Sequence, residues 1–174
     1  MTKRRDFIKK SILGTAGMAI GGMGLSTRSY ASVVGSNDRI NLAVICIRGQ
    51  GGSHIDSWCS LTENRNIRLK TLCDTDEQYF AERSKTVVDK TGVKPVTEWD
   101  MRKVFDDKEI NAVSFAIPNH WHALGTIWAC QAGKHVYVEK PACHNIFEGR
   151  KMIDASRKYN VRVQTGFQNR SINS

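Results

Sequence analysis

The sequence has little proline, no long and strongly apolar run, and no cysteines at short spacing. Only 3 of its 174 residues are proline, while 40% are hydrophobic and 25% are charged, which excludes a disordered or fibrous chain. The five cysteines are an odd number without CxxC spacing, which argues against a disulfide framework and a zinc ribbon. Cys46 and Cys73 would end neighbouring strands, but we expect all five to be small apolar residues of the interior.

A basic stripe of the kind that binds nucleic acid is also absent. The formal net charge is +9, yet the first 31 residues hold six of the basic side chains and one acid. Beyond them, basic and acidic residues are interspersed and form no long run. We therefore expect no nucleic-acid partner.

Residues 1–31 have the pattern of an export signal. The pair Arg4-Arg5 precedes a mildly apolar run from Ser11 to Leu25, and Ser29-Tyr30-Ala31 offers small residues to a signal peptidase. The run is too short and too rich in glycine for a stable membrane span, which needs about 20 strongly apolar residues. An amphipathic N-terminal helix is the alternative, but glycines weaken a helix by about 1 kcal/mol each.

The segment resembles a twin-arginine (Tat) signal, with Lys3 where the usual pattern has Ser or Thr. This resemblance implies that the Tat export machinery is a partner and that the protein is periplasmic or otherwise exported. Because the Tat pathway carries folded proteins, a cofactor could be loaded before export.

The rest of the chain alternates apolar runs with amphipathic segments. The apolar runs predict six strands, at 40–47, 67–73, 94–97, 111–117, 134–138 and 161–165. Helices are predicted between them, beginning at 53 or 54, at the capping box 75–78, near 100, at 123 and after Asn145. This alternation predicts an α/β fold, a doubly wound parallel sheet with strand order 3-2-1-4-5-6 of the Rossmann, dinucleotide-binding kind.

A glycine-rich turn follows the first strand. We predict that it binds the pyrophosphate of a dinucleotide, which needs close backbone approach and a helix N-terminus. The GxGxxG pattern fits imperfectly: Cys46 replaces the first glycine in one frame, and His54 replaces the third in the other. A merely tight loop is the alternative. The residues predicted to contact the cofactor are Ile47, Arg48, Gly49, Gln50, Gly51 and Gly52.

Asp74 ends the second strand, 25 positions after Gly49. A carboxylate there can accept hydrogen bonds from both hydroxyls of an adenosine ribose and would repel a 2′-phosphate, so NAD is favoured over NADP. A helix N-cap is the alternative role for Asp74, and the two roles are compatible.

Two polar segments follow the fourth and fifth strands. Pro118-Asn119-His120-Trp121-His122 could suggest zinc by its HxH spacing, but no carboxylate or cysteine set completes a site, so we predict no metal. A histidine here would contact the nicotinamide ribose or the substrate. In Glu139-Lys140-Pro141, a lysine beside the nicotinamide could donate or accept a proton, while an exposed Glu-Lys pair is the alternative.

Five segments together resemble the glucose–fructose oxidoreductase / inositol dehydrogenase (Gfo/Idh/MocA) family: NLAVICIRGQGGSH, LCDTDE, IPNHWHA, AGKHVYVEKP and VQTGFQNR. The resemblance spans about residues 38–170. It implies a nicotinamide cofactor held by Gly49–Gly52, Asp74, the 118–122 turn and Glu139, with Gln168 nearby. It also implies that Lys140 assists proton transfer, that His122 orients the substrate, and that the substrate is a sugar, polyol or related cyclic alcohol.

Members of the family continue into a second α/β domain that supplies most substrate contacts and the oligomer interface. We therefore expect a signal peptide at 1–31, a linker at 32–37, the dinucleotide-binding domain at 38–170, and the start of a truncated second domain at 171–174. A homo-oligomer is expected only of a full-length form.

The leading functional hypothesis is an NAD(P)-dependent dehydrogenase. One alternative is a glycoside hydrolase that oxidises its sugar transiently, and another is a non-catalytic dinucleotide-binding fragment. A methyltransferase is disfavoured because it would have no use for the Glu139-Lys140-Pro141 segment.

Overall fold

The computed structural model describes residues 39–167. The predicted export signal, the linker, Gln168 and residues 171–174 lie outside the described residues. No helix within 39–167 is long and apolar enough to cross a membrane.

Six strands alternate with helices along the described chain. The strands are β1 Ile40–Ile45, β2 Ile67–Cys73, β3 Val96–Glu98, β4 Ala112–Phe115, β5 His135–Val138 and β6 Val163–Thr165. The helices are α1 Gln50–Ser60, α2 Thr62–Arg65, α3 Phe80–Thr91, α4 Met101–Asp106, α5 Asn119–Gln131 and α6 Ile146–Lys158. A 3₁₀ turn, Glu77–Tyr79, precedes α3.

The strands form one sheet in which every pairing is parallel, in the order β3-β2-β1-β4-β5-β6. This order and the α/β class confirm the prediction. Both faces of the sheet are covered, as β1 illustrates: Ala43 and Ile45 join one apolar cluster, and Leu42 and Val44 join the other. Alternate residues therefore bury opposite faces, which is why the strand is almost continuously apolar.

Several predicted boundaries were wrong, and four of the errors fall beside the carboxyl end of a strand. The strands β3 and β6 each begin two residues later than predicted, at Val96 and Val163. The strand β1 ends at Ile45, and α1 begins at Gln50 rather than at 53 or 54. The strand β4 ends at Phe115, and α5 begins at Asn119 rather than at Ala123. Apolar periodicity locates the buried part of a helix, but the first turns here face the open edge of the sheet and carry glycine and polar residues.

The ends of several helices are capped by the residues at their boundaries. The predicted cap of α6 is confirmed, since Asn145 Oδ1 accepts from Glu148 N at 2.9 Å. The predicted capping box at 75–78 was wrong, because Asp76 and not Thr75 accepts from Gln78 N and only the 3₁₀ turn begins there. Gly92 ends α3 with a φ of 70°, in the left-handed conformation that favours glycine.

All five cysteines are free thiols. Burial raises the pKa of Cys73 to about 12 and that of Cys130 to about 11. Cys46 lies only partly buried at the end of β1, where burial and the Asp74 carboxylate raise the pKa of its thiol.

We expect alkylation of the native protein to be selective among these thiols. Cys143 should react first with iodoacetamide at pH ~8, whereas Cys73 and Cys130 should react at least about tenfold more slowly, because the thiolate is the nucleophile. Peptide mass spectrometry over a time course measures each site, and denatured protein, in which all five should react, is the control. Equal native rates at Cys73 and Cys143 would contradict the burial described here.

Candidate functional site

The turn between β1 and α1 settles which frame of the glycine pattern applies. Cys46 directly follows β1 and has a φ of 65°, in the left-handed region that glycine adopts most readily. Its amide donates to Cys73 O at 2.8 Å, which ties the turn to the end of β2. Counted from Cys46, Arg48 is the third position of GxGxxG and Gly51 is the sixth.

Gly51 is the position where the helix and the strand approach most closely. A Cβ placed on Gly51 would lie 1.9 Å from the carbonyl oxygen of Cys46, a backbone atom that cannot move aside alone. At Gly49, the N-cap, a Cβ would meet nothing within 4 Å, but its φ of 41° still favours glycine. No side chain caps α1, so its N-terminus is open to an anion from outside the helix.

The carboxylate of Asp74 is held beside this turn. Its Oδ2 accepts from Ile47 N at 2.8 Å, and its Oδ1 accepts from Asp76 N at 3.0 Å. Because a carboxylate can accept about four hydrogen bonds, acceptor capacity remains for a ribose hydroxyl. Asp74 does not cap α3, so the cap alternative was wrong.

A cavity of about 610 Å³ opens between the ends of β1, β2 and β4. Asp74, Asp76 and Asp100 supply its carboxylates, and hydrogen bonds from Arg102 lower the pKa of Asp100 to about 2. Arg48 also lines it, with its guanidinium 4.9 Å from the ring centroid of Tyr79. Large apolar and aromatic side chains also line it, among them Trp99, Met101, Trp121 and Trp128.

A second cavity, of about 460 Å³, lies between α1, the start of α5 and the end of β5. Ile117 lines both cavities, so they are neighbours along the same edge of the sheet. Predicted site residues make up most of the second wall: Gln50, Asn119, His122, Glu139 and Lys140.

Glu139 and Lys140 differ sharply in exposure although they are adjacent. Glu139 is only 6% exposed, and its Oε1 lies 2.9 Å from His54 Nε2 and 3.4 Å from Gln50 Nε2, which donates to it. Lys140 is exposed, its amide donates to Glu139 Oε2 at 3.2 Å, and its peptide bond to Pro141 is cis. The alternative of an exposed Glu-Lys pair was therefore wrong for the glutamate.

His122 lines the second cavity but is only 2% exposed. Its Nδ1 lies 2.6 Å from Pro141 O, and its Nε2 lies 2.8 Å from Ile117 O. Both ring nitrogens therefore contact backbone carbonyls here, and His122 joins the start of α5 to the Lys140–Pro141 segment. Its orientation of a substrate stays a prediction.

The neighbouring Asn119 has an unsatisfied group. Its Nδ2 lies 3.2 Å from His144 Nδ1, while its Oδ1 is buried without a hydrogen-bond partner in the described part of the chain. A buried oxygen of this kind normally has a partner. Asn119 is thus suited to accept a hydrogen bond from a bound molecule.

No group of three or more metal-ligating side chains occurs within residues 39–167. His120 and His122 do not share a site, because the ring nitrogens of His122 face backbone carbonyls. The arrangement instead suits an extended anionic ligand, with an uncapped helix between an acidic, aromatic cavity and one that holds a lysine.

Several residues of this site escaped the sequence analysis, and three of them have large apolar or aromatic side chains. Trp99, Trp128 and Met101 line the first cavity, yet their spacing is equally typical of core residues. The one available signal was their position: Trp99 directly follows β3, as Asp74 follows β2.

Comparison with known proteins accords with this geometry. A sequence model of the Gfo/Idh/MocA type, described as an oxidoreductase family with an NAD-binding Rossmann fold, matches residues 18–167. The chain belongs to this family. Its cofactor is accordingly NAD, and Gly49–Gly52, Asp74 and Asn119 are the residues that fit it best.

Curated relatives include a glycosyl hydrolase family 109 protein of Shewanella baltica (strain OS185), 25% identical, with 89% of this chain and 37% of that protein covered. The chain thus spans little more than a third of the relatives it matches. Among solved structures, a levoglucosan dehydrogenase in complex with NADH is 26% identical with a TM-score of 0.67, covering 76% of this chain and 36% of that one. An NAD-binding oxidoreductase from Klebsiella pneumoniae is 25% identical with a TM-score of 0.67, covering 77% and 36%.

We expect substitutions at the two adjacent glycines of α1 to differ sharply. Gly51→Ala should destabilise the protein by about 3 kcal/mol or more, because its Cβ would overlap a backbone oxygen. Gly52→Ala should change stability by less than about 1 kcal/mol, because its Cβ would meet only the flexible end of Arg83 at 3.2 Å and alanine favours a helix. Urea unfolding followed by tryptophan fluorescence measures both, and equal effects would contradict the close contact.

Proposed function

We propose that this chain is the NAD-binding part of an enzyme that oxidises a carbon of a sugar, polyol or related cyclic alcohol. The observation that carries the proposal is Lys140, an exposed ammonium at the carboxyl end of β5 whose backbone is anchored by a buried carboxylate. A levoglucosan dehydrogenase among the similar structures supports the substrate class.

The two cavities suit the two ends of NAD differently. The first, with Asp74 and a wall of aromatic side chains, suits the adenosine, whose ribose hydroxyls would donate to the carboxylate. The open N-terminus of α1 suits the pyrophosphate, and the second cavity suits the nicotinamide ribose. When bound, NAD supplies the acceptor for a hydride.

Lys140 supplies the complementary proton chemistry. Oxidation of an alcohol carbon releases a proton from its hydroxyl as the hydride departs, and a group within hydrogen-bond reach must accept that proton. The neutral amine form of Lys140 accepts this proton in the proposal and becomes the ammonium, and the ammonium Nζ returns the proton in the reverse direction. Asn119 Oδ1 and Glu139 orient the molecule on either side.

A second candidate is hydrolysis by transient oxidation. In this mechanism the sugar is oxidised, loses its aglycone by elimination, adds water and is reduced again, so that no NAD is consumed. The curated relatives support it, since they include family 109 glycosyl hydrolases and an alpha-N-acetylgalactosaminidase of Shewanella oneidensis. It also suits an exported enzyme that carries its own cofactor.

Export and assembly complete the proposal. The twin-arginine pattern in residues 1–31 supports transport of the folded protein through the Tat machinery to the periplasm. The curated relatives are longer than this chain, which matches 37% of one of them. Substrate contacts and a homo-oligomer interface would come from a region like the one that lies outside the matched part of those relatives.

Replacement of Lys140 should lower the catalytic rate while leaving the affinity for NAD nearly unchanged. When Lys140→Met is introduced into the protein as its source organism produces it, kcat should fall at least about 100-fold, because a general acid-base group contributes that much. The affinity for NAD should change by less than about threefold, since the ammonium is exposed. Lys85→Met, which removes an exposed lysine of α3, is the matched control.

The assay must distinguish the two candidate reactions. Sugars and polyols are tested for NADH absorbance, and chromogenic aryl glycosides are tested for release of the aglycone. NADH formation supports the dehydrogenase, whereas aglycone release without net NADH supports the hydrolase. Full activity of Lys140→Met in both assays would refute the proposed role.

The carboxylate of Asp74 should set the preference between NAD and NADP. We expect the unaltered protein to bind NAD more tightly than NADP. Asp74→Asn should weaken the affinity for NAD by about tenfold and reduce the ratio of NAD affinity to NADP affinity. The negative charge that repels a 2′-phosphate is lost, and one of the amides of Ile47 and Asp76 loses its acceptor. Calorimetric titration measures both affinities, with Asp154→Asn as control; equal affinity of the unaltered protein for NAD and NADP would count against this role.

A further inference from the structure

A chain of hydrogen bonds runs from α1 through the sheet to the segment that carries Lys140. Trp58 Nε1 donates to Ser114 Oγ at 3.0 Å, and the same oxygen lies 3.0 Å from His54 Nδ1. The other ring nitrogen, His54 Nε2, lies 2.9 Å from Glu139 Oε1. Three strictly buried polar side chains are therefore joined in one line beneath the second cavity.

With a neutral His54 ring, the donors and acceptors of this hydrogen-bond chain have a single consistent direction. The Glu139 carboxylate only accepts, so His54 Nε2 carries a proton and donates to it. In the neutral ring Nδ1 is then an acceptor, and the Ser114 hydroxyl donates to it. The indole of Trp58 only donates, and it fills the remaining side of Ser114 Oγ. Every polar atom in the line is satisfied.

The last member of the line connects it to the reacting end of the site. Glu139 Oε1 receives the His54 bond, and Oε2 accepts from the amide of Lys140. The carboxylate thus has one oxygen on the buried chain and the other on the backbone of the predicted acid-base residue. Neither Trp58, Ser114 nor His54 lines either cavity, so none of them reaches a bound molecule directly.

Packing around these hydrogen-bonded side chains leaves little room for them to rearrange. The ring of Tyr137 stands edge-on to His54 and to Trp58, with centroid distances of 5.5 and 5.9 Å. On the far side, a Cβ at Gly166 would lie 2.6 Å from Tyr137 Oη and 3.3 Å from Glu139 Oε1. Burial and the nearby Glu139 carboxylate raise the pKa of Tyr137, which accords with an enclosed site.

We propose that Trp58, Ser114 and His54 are positioning residues that fix the Glu139 carboxylate, and through it the backbone of Lys140, toward the nicotinamide end of bound NAD. The inference rests on the proposed placement of the nicotinamide in the second cavity. In this proposal α1 has two roles. Its N-terminus binds the pyrophosphate, and its His54 side chain positions Glu139 near the nicotinamide.

The test compares NAD with ADP, which shares the adenosine and the pyrophosphate but ends before the nicotinamide ribose. Ser114→Ala should weaken NAD binding about fivefold to tenfold, because a loosened Glu139 holds the distal ribose less well. ADP binding should change by less than about twofold. Thr126→Val is the matched control: Thr126 and Ser114 are both 0% exposed, but the Thr126 hydroxyl has no hydrogen-bond partner in the described chain.

A spectroscopic measurement tests the direction of the chain independently. In protein with ¹⁵N-labelled histidine, the ring resonances of His54 should show an unprotonated Nδ1 and a protonated Nε2. Ser114→Ala, and Trp58→Phe as a second variant that keeps an aromatic ring, should shift the Nδ1 resonance. A protonated Nδ1 in the unaltered protein would overturn the assigned direction.

Three binding outcomes decide the proposal. Selective loss of NAD affinity in Ser114→Ala, with ADP unchanged and Thr126→Val normal, supports it. Equal loss of both ligands, or no loss of either, overturns it. These measurements need no turnover, so they stay interpretable if no sugar or polyol proves to be a substrate.

Discussion

The whole carboxyl edge of the sheet depends on the contact between Gly51 and the carbonyl of Cys46. That contact lets α1 begin directly over the end of β1, the strand that pairs with both β2 and β4. In a doubly wound sheet, ligands bind in the crevice outside the carboxyl ends of the strands, at the point where successive helices pass to opposite faces. Moving α1 outward by the width of a methyl group would also move His54 away from Glu139, since both contacts belong to one helix.

The sequence was most informative about the order of the strands and about the polar residues that follow them. The strand order could be predicted because near-continuous apolar runs alternate with helices and right-handed crossovers leave few topologies. Asp74 and Glu139 could be placed because each directly follows a predicted strand, and Lys140 is the residue after Glu139. The beginnings of α1 and α5 could not be placed, since their first turns lie at the open edge and lack the apolar spacing from which a helix is predicted.

The hydrogen-bond chain shows a different reason why prediction stopped short. His54 and Ser114 are 60 positions apart, and His54 and Glu139 are 85 apart, so no local spacing links them. Ser114 lies in the run AVSF, where one small polar residue hardly weakens the strand pattern. A buried serine in the middle of a central strand needs a partner, but only the folded sheet identifies His54 and Trp58.

The two cavities differ in a way that, in the proposed placement, gives bound NAD one orientation. The first combines three carboxylates with aromatic walls, which suits ribose hydroxyls and a stacked base. The second combines an ammonium, an unsatisfied amide oxygen and a fixed carboxylate, which suits the end where protons move. The same asymmetry explains why the positioning chain ends at Glu139 and not at Asp74: backbone amides hold Asp74, whereas Glu139 must be held at the one end where geometry decides reactivity.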